Sequence, residues 1–188
     1  MNSNKPELRT ESTGASARQA AGRTQADSAS RTETRGPEKV RVLVVEDDPF
    51  VRGGIVRLIN GEADLACCGE AASISAALVA VATLKPGLVL LDLKLEDGDA
   101  FELIKSLRRQ SRDLPILVLS QHDEKFYAER ALQAGASGYL MKEMATEHLL
   151  GALRIVLRGK TYLSPAMTAR LLQTAPPRHF DRPSSAPI

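Results

Sequence analysis

The sequence has no tryptophan, and aromatic residues of all kinds make up only 4% of its 188 residues. The core of a folded domain must therefore be aliphatic, and the hydrophobic content of 43% is high enough to build one. The two cysteines, Cys67 and Cys68, are adjacent, which excludes a disulfide framework. We interpret them as small core residues of a reduced, cytoplasmic protein. No apolar run predicts a membrane span, and the N-terminus lacks the apolar segment of a signal peptide.

The excess of basic residues is confined to the ends of the chain. Residues 1–39 contain seven Lys/Arg and five Asp/Glu, whereas residues 40–172 contain sixteen Lys/Arg and seventeen Asp/Glu. The central part is therefore slightly acidic, which is not the charge distribution of a nucleic-acid-binding domain.

Composition divides the chain into four segments. Residues 1–38 are rich in Ser, Thr, Ala and Arg and predict a disordered tail, because they cannot bury enough apolar surface to fold. Residues 39–160 predict one folded domain, and residues 161–173 predict an additional C-terminal helix that starts at Ser164-Pro165. Residues 174–188 are Pro-rich and predict an extended linker or tail.

Short apolar runs alternate with amphipathic segments along residues 39–160. Val40–Val45, Leu88–Asp92 and Leu114–Ser120 read as buried strands, and each is followed by a segment of helical periodicity. Five such strand–helix units predict a three-layer α/β fold, a doubly wound five-stranded parallel sheet covered on both faces.

Polar side chains stand where these predicted strands end. Glu46 and Asp47 follow the first strand, Asp92 ends the third, Ser120 ends the fourth and Lys142 ends the fifth. In open α/β sheets, ligands bind at the carboxyl ends of the strands, so we expect these side chains to converge on one site.

Local roles compete with a shared site for several polar residues. Asp48 is suited to cap the first helix, and Asp97 and Asp99 are suited to turn and cap positions. Ser120 could simply end a strand, and Lys142 alone could be a solvated loop lysine. The clustered carboxylates are harder to explain locally, because they repel one another unless a cation neutralises them. Oxygen-only ligation predicts Mg²⁺.

Four blocks of sequence together resemble bacterial two-component response regulator receiver domains, in the usual order and at the usual spacing. These blocks are VLVVEDDPFVRGGI, LVLLDLKLEDGDAFELI, ILVLSQHDE and AGASGYLMKE. The resemblance covers about residues 39–160 and implies the flavodoxin-like strand order 2-1-3-4-5. It also implies a phosphoprotein of the cytoplasm that takes a phosphoryl group from a sensor histidine kinase or a phosphotransfer protein.

The resemblance implies a role for each strand-end residue. Asp92 is the phosphoacceptor, and the Mg²⁺ ligands are Glu46, Asp47, Asp92 and the backbone carbonyl of Lys94. Ser120 and Lys142 contact the phosphoryl group. Tyr139 is the switch residue, expected to turn inward when Asp92 is phosphorylated.

The finer resemblance is to the NarL/FixJ (LuxR-type) regulators, based on GASGYLMKE, LSQHD and GKTYLSPAMTARLL. In that group a helix-turn-helix domain follows and regulates transcription, but nothing after Leu172 reads as a recognition helix. We therefore expect no sequence-specific DNA binding by these residues unless a further domain is present, and we do not expect an enzyme beyond self-phosphorylation and autodephosphorylation. The alternatives are a fragment of a LuxR-type DNA-binding regulator and a phosphatase of the haloacid-dehalogenase type. The latter is disfavoured because Lys94 stands where those enzymes have a second Asp.

The last predicted helix of the domain has more apolar residues than one face needs. These residues are Leu149, Leu150, Leu153, Val156 and Leu157. Part of this surface is expected to be uncovered and to support a weak homodimer on phosphorylation. The alternative is that the C-terminal helix folds back and covers it.

Overall fold

The computed structural model of the protein describes residues 38–174. The predicted tails fall outside this range, apart from its two end residues, and the predicted domain limits remain expectations. Twelve regular elements follow one another along these residues: β1 Val40–Val45, α1 Pro49–Asn60, β2 Leu65–Ala71, α2 Ile74–Leu84, β3 Leu88–Leu91, α3 Ala100–Gln110, β4 Ile116–Ser120, α4 Glu124–Ala134, β5 Gly138–Met141, a 3₁₀ turn Lys142–Met144, α5 Ala145–Leu157 and α6 Pro165–Thr174.

The sheet has the predicted five strands, all parallel, in the order β2-β1-β3-β4-β5. Alternate strand residues point into two aliphatic cores on its two faces. Helices α2, α3 and α4 pack on one face through residues such as Ala77, Leu103 and Ala128. Helices α1 and α5 pack on the other through residues such as Ile59 and Leu153. The predicted three-layer, doubly wound fold is confirmed.

Side-chain caps and a glycine mark several helix boundaries, and Asp48 and Asp99 are caps as predicted. Asp48, Ser73 and Asp99 cap the first turns of α1, α2 and α3 with their side chains. Gly135 ends α4 with φ +111°, a conformation that is unstrained only for glycine.

The segment after α5 returns to the sheet. Tyr162 forms an isolated parallel bridge with Gly138 at the outer edge of β5. The backbone amide of Tyr139 donates to the Tyr162 carbonyl (2.9 Å), and the Tyr162 amide donates to the Ser137 carbonyl (3.1 Å). Helix α6 then begins, with Ser164 Oγ accepting a hydrogen bond from the Met167 amide (3.1 Å).

The expectation of an uncovered apolar surface on α5 is wrong. Leu149, Leu153 and Val156 are buried against the sheet, and Leu150 and Leu157 are partly buried in the same core. Helix α6 does fold back, but its Met167 joins the core on the opposite face of the sheet, the one that contains Tyr139. The sheet itself covers the apolar residues of α5.

Candidate functional site

Four of the five predicted strand-end side chains lie at the carboxyl edge of the sheet next to the strands that carry them. Glu46 follows β1, Asp92 follows β3, Ser120 ends β4 and Lys142 follows β5. Three of these residues are almost completely buried, with exposures of 1% for Glu46, 3% for Asp92 and 0% for Ser120. Buried polar residues at strand ends are costly unless they are paired, so their partners define the site.

Lys142 pairs with two of the carboxylates at once. Its Nζ lies 2.6 Å from Glu46 Oε2 and 2.7 Å from Asp92 Oδ2. Burial opposes the charge on Lys142, but the hydrogen bonds to Asp92 and Glu46 outweigh it and raise the lysine pKa. Burial is also the main cause that raises the pKa of Glu46, partly offset by its hydrogen bond to Lys142. The ammonium thus offsets part of the repulsion between the acids.

A third carboxylate, that of Asp47, completes an acidic cluster. One carboxylate oxygen from each of Glu46, Asp47 and Asp92 can be chosen so that all lie within 4.8 Å of one another. Asp92 Oδ1 is the buried side-chain polar atom that has no hydrogen-bond partner among residues 38–174. An unpaired buried carboxylate oxygen beside two further carboxylates fits a hard divalent cation. The residues present can therefore hold a metal ion with oxygen ligands.

The first turn of helix α1 stabilises the backbone of the acidic cluster. Asp48 caps this helix by accepting hydrogen bonds from the amides of Phe50 (2.8 Å) and Val51 (3.2 Å). One turn further, Arg52 Nη1 donates to the carbonyls of Glu46 (2.6 Å) and Asp47 (3.2 Å). The guanidinium therefore fixes the backbone that carries both acids.

Sequence reasoning did not identify Arg52. Its Nε also pairs with Glu70 of β2 at 3.2 Å, so that the arginine links the end of β1 to the neighbouring edge strand. The sequence did contain a signal for this role. Arg52 comes four residues after the helix cap Asp48, so it lies one helical turn from the start of α1, where Asp47 is located.

The loop between β3 and α3 is pinned by an unexpected cap. Asp97 accepts hydrogen bonds from the amides of Ile74 (2.7 Å) and Ser75 (3.1 Å), so it caps α2 and not the helix that follows it. These amide hydrogen bonds lower the pKa of Asp97. Lys94 lies in this loop with an exposed side chain. The loop that follows Asp92 is thus anchored to a second element.

Tyr139 is already turned inward in this structure. It is fully buried, and its hydroxyl donates to the His122 carbonyl at 2.8 Å. Burial is the main cause that raises the tyrosine pKa to about 12. The expected inward turn on phosphorylation cannot start from this conformation, because the inward position is occupied. The switch role of Tyr139 remains a prediction.

A short segment links the acidic site to Tyr139 and to α6. It begins at Ser120, whose Oγ accepts a hydrogen bond from the His122 amide at 3.1 Å. It ends at Glu124, a buried carboxylate that accepts a hydrogen bond from the Ser164 amide at 2.9 Å. Sequence reasoning missed Glu124, because nothing in the local pattern marks a helix-start glutamate as buried.

Fold and site together define a class of protein. A flavodoxin-like sheet with three acids and a lysine gathered at its strand ends is the arrangement of a signalling receiver domain.

No helix within residues 38–174 is long and apolar enough to cross a membrane.

Comparison with known proteins identifies the family. Residues 42–154 match the family model described as "Response regulator receiver domain", and the chain belongs to this family. The response regulator GacA of Pseudomonas protegens is 35% identical over 133 residues, which cover 71% of this chain and 62% of GacA. The nitrate/nitrite response regulator protein NarL of Escherichia coli K12 is 34% identical over 70% of this chain and 61% of NarL. This chain therefore spans somewhat less than two thirds of the length of these relatives.

Solved structures agree with this assignment. A two-component response regulator of the LuxR family from Aurantimonas superposes with a TM-score of 0.67 at 29% identity, over 72% of this chain and 97% of that one. The signal receiver domain of the putative response regulator NarL from Mycobacterium tuberculosis superposes with a TM-score of 0.62 at 32% identity, over 66% of this chain and all of that one. The resemblance to NarL-type and LuxR-type receivers is confirmed.

Proposed function

We propose that the protein is the receiver of a two-component phosphorelay, in which Asp92 accepts a phosphoryl group from a sensor histidine kinase or a phosphotransfer protein in the cytoplasm. The observation that carries this proposal is the pairing at Asp92. One of its buried oxygens is held 2.7 Å from the Lys142 ammonium, while the other has no hydrogen-bond partner within residues 38–174. A carboxylate held in this way keeps a lone pair free at a fixed position.

The acceptor step moves a phosphoryl group from nitrogen to oxygen. A carboxylate oxygen of Asp92 attacks the phosphorus of a phosphohistidine, so that a P–O bond forms and the P–N bond breaks. The leaving electron pair stays on the imidazole nitrogen, which takes up a proton. Placing the two reactants supplies much of the rate, because little covalent assistance is needed.

Charge neutralisation is shared among the residues around Asp92. The Lys142 ammonium contacts Asp92 and Glu46. After the transfer it would stabilise the negative charge on the phosphoryl oxygens. Ser120 at the end of β4 would donate its hydroxyl to the same group. Glu46, Asp47, Asp92 and the Lys94 carbonyl would hold Mg²⁺, which supplies electrostatic stabilisation of the transferring group when bound.

The output is a change of conformation that couples Asp92 to Tyr139. The chemistry of the domain would be confined to its own phosphorylation and dephosphorylation. Regulation of transcription is proposed only for a longer protein, as in the relatives named as regulators, since this chain matches about three fifths of their length.

The acceptor role is tested with small phosphodonors. Acetyl phosphate with Mg²⁺ should add one phosphoryl group to the wild-type protein, and mass spectrometry should place it on Asp92. Asp92→Asn keeps the shape of the side chain but removes its charge, and it should abolish the modification. Exposed Asp113 supplies the control, since Asp113→Asn makes the same chemical change away from the site. Uptake by Asp92→Asn at the wild-type rate would disprove the assignment.

A further inference from the structure

The face formed by α4 and β5 is covered by a part of the chain that the receiver site does not need. We call residues Tyr162–Leu171 the strap. Three contacts hold it: the bridge between Tyr162 and Gly138, the hydrogen bond from the Ser164 amide to Glu124, and the buried side chain of Met167, which is 3% exposed. Two of these contacts engage β5 and the first residue of α4.

The strap contacts the backbone of Tyr139 and a residue close to the one that holds its hydroxyl. The Tyr139 amide donates to the strap residue Tyr162, while the Tyr139 hydroxyl donates to His122. Two residues after His122, Glu124 accepts from Ser164. Met167 belongs to the same buried cluster as Tyr139. The buried Tyr139 ring and the docked strap therefore meet in one core cluster, through neighbouring contacts on Tyr139, His122 and Glu124.

A cavity of about 350 Å³ lies between the strap and the domain. Tyr139 is part of its wall, and the other lining residues include Met141, Met144, Tyr162, Pro165 and Met167. An outward turn would carry the Tyr139 ring into this space, away from the His122 carbonyl. With the strap in place the hydroxyl would give up the His122 carbonyl and enter a space whose wall surface is mostly apolar, although Glu124, His148 and Arg170 also line it. Without the strap the hydroxyl would reach water. Exchanging a hydrogen bond for a mostly apolar wall is unfavourable, so the docked strap disfavours the outward conformation.

We propose that the α4–β5 face is an interaction surface occupied by the strap of the same chain, and that the strap and the phosphoryl group favour the same inward conformation of Tyr139. The inference rests on the proposed function, in which phosphorylation of Asp92 favours the inward tyrosine. Coupling between two sites is reciprocal. Phosphorylation must therefore raise the equilibrium constant for docking of the strap by some factor. Docking of the strap must raise the affinity of the site for a phosphoryl mimic by the same factor.

The first measurement follows the strap in the wild-type protein. Amide hydrogen exchange is recorded at Tyr162 and Ser164, with and without beryllofluoride and Mg²⁺, which together mimic the phosphorylated acceptor. We expect exchange at both amides to slow by at least about fivefold, the lower end of usual coupling. Unchanged or faster exchange on beryllofluoride binding would overturn the inference. No variant needs to fold for this result.

The second measurement uses two charge substitutions on α6. Met167→Lys places a charge where the side chain is buried and should release the strap. Leu172→Lys makes the same change where the side chain is 73% exposed and should leave it docked. We expect Met167→Lys to weaken beryllofluoride binding by the factor seen in the exchange experiment, and Leu172→Lys to bind like the wild type. Equal binding by all three proteins would overturn the inference.

Failure of the underlying function gives a different result. If the wild-type protein and Asp92→Asn respond equally to beryllofluoride, Asp92 is not the acceptor, and the coupling proposal falls with it. If beryllofluoride binds the wild type but not Asp92→Asn, and exchange at the strap amides is unchanged, Asp92 is still the acceptor and only the coupling is wrong.

Discussion

At the scale of single residues, Lys142 neutralises two buried carboxylates with one positive charge. Its ammonium contacts Glu46 and Asp92 together, and its side chain is only 12% exposed. Removing one member of such a buried group usually costs ~3–5 kcal/mol, because charges are left without partners. The Asp92 carboxylate is therefore held in place, as its proposed role as phosphoacceptor requires.

Asp47 lies in the same cluster and should act mainly through the metal. We expect Asp47→Ala to lower the Mg²⁺ affinity by more than about a hundredfold, beyond the loss typical of an outer-shell partner. The metal-free variant should be at least as stable as the wild type, because a like charge beside Glu46 and Asp92 is removed. Calorimetric titration with Mg²⁺ and thermal unfolding check the two parts. Glu96→Ala, which removes an exposed acid from the neighbouring loop, serves as the control; wild-type Mg²⁺ affinity in Asp47→Ala would remove this residue from the site.

The sequence was informative about which residues meet but not about how they pair. Parallel strands share one polarity, so residues at the ends of β1, β3, β4 and β5 had to lie along one edge. The double contact of Lys142 and the inward position of Tyr139 depend on side-chain rotamers and on packing. Neither leaves a trace in spacing along the chain.

At the scale of elements, a cluster of charges joins α5 to the start of β2. Arg154 donates to both carboxylate oxygens of Asp64, at 2.8 and 2.7 Å, and to Glu62 at 2.5 Å. The hydrogen bond from Arg154 lowers the pKa of Asp64 to about 2 from its ordinary 3.8. A lowered carboxyl pKa stabilises the folded state above the ordinary value, and this contribution is lost as the pH falls through the folded value.

We expect the midpoint of thermal unfolding to be slightly lower in Arg154→Gln than in the wild type at pH 7. The difference is small because Asp64 is exposed and solvent screens the pair. It should be constant down to about pH 4 and shrink between pH 4 and pH 2, as Asp64 becomes protonated. Calorimetric scans across this range measure it, with the exposed Arg158→Gln as the control. A difference that grows on acidification would contradict this role of the ion pair.

Element boundaries were predictable where a cap or a glycine marks them, and less so elsewhere. β2 continues to Ala71, three residues past Cys68, where its run of consecutive apolar residues ends. Gly69 and Glu70 break the apolar pattern, yet β1 still pairs with them after a shift in register at Val42 and Leu43. Helix α6 was predicted from Ser164-Pro165. Its position depends on the burial of Met167 and on the hydrogen bond from Ser164 to Glu124, which lies 40 residues earlier in the chain.

At the scale of the whole molecule, association must be explained without α5. Large apolar side chains exposed among residues 38–174 include Phe126 of α4 and Leu172 of α6, each 73% exposed, and Met144, which is 46% exposed and lines the strap cavity. We expect a weak symmetric dimer with a Kd in the low-micromolar to millimolar range, tightened by beryllofluoride. Phe126→Ser should weaken it, and Val79→Ser, an equivalent change at a 63% exposed site on α2, should not. Sedimentation equilibrium decides the matter, and a monomer in both states at high concentration would refute the dimer.

The bridge between Tyr162 and Gly138 also changes what the outer border of the sheet presents to other molecules. A bare edge strand offers unpaired amides and carbonyls onto which a strand of another chain can add. Here the Tyr139 amide and the Ser137 carbonyl are already used by Tyr162. The residues after α5 thus blunt one border of a short, aliphatic sheet and guard it against edge-to-edge aggregation.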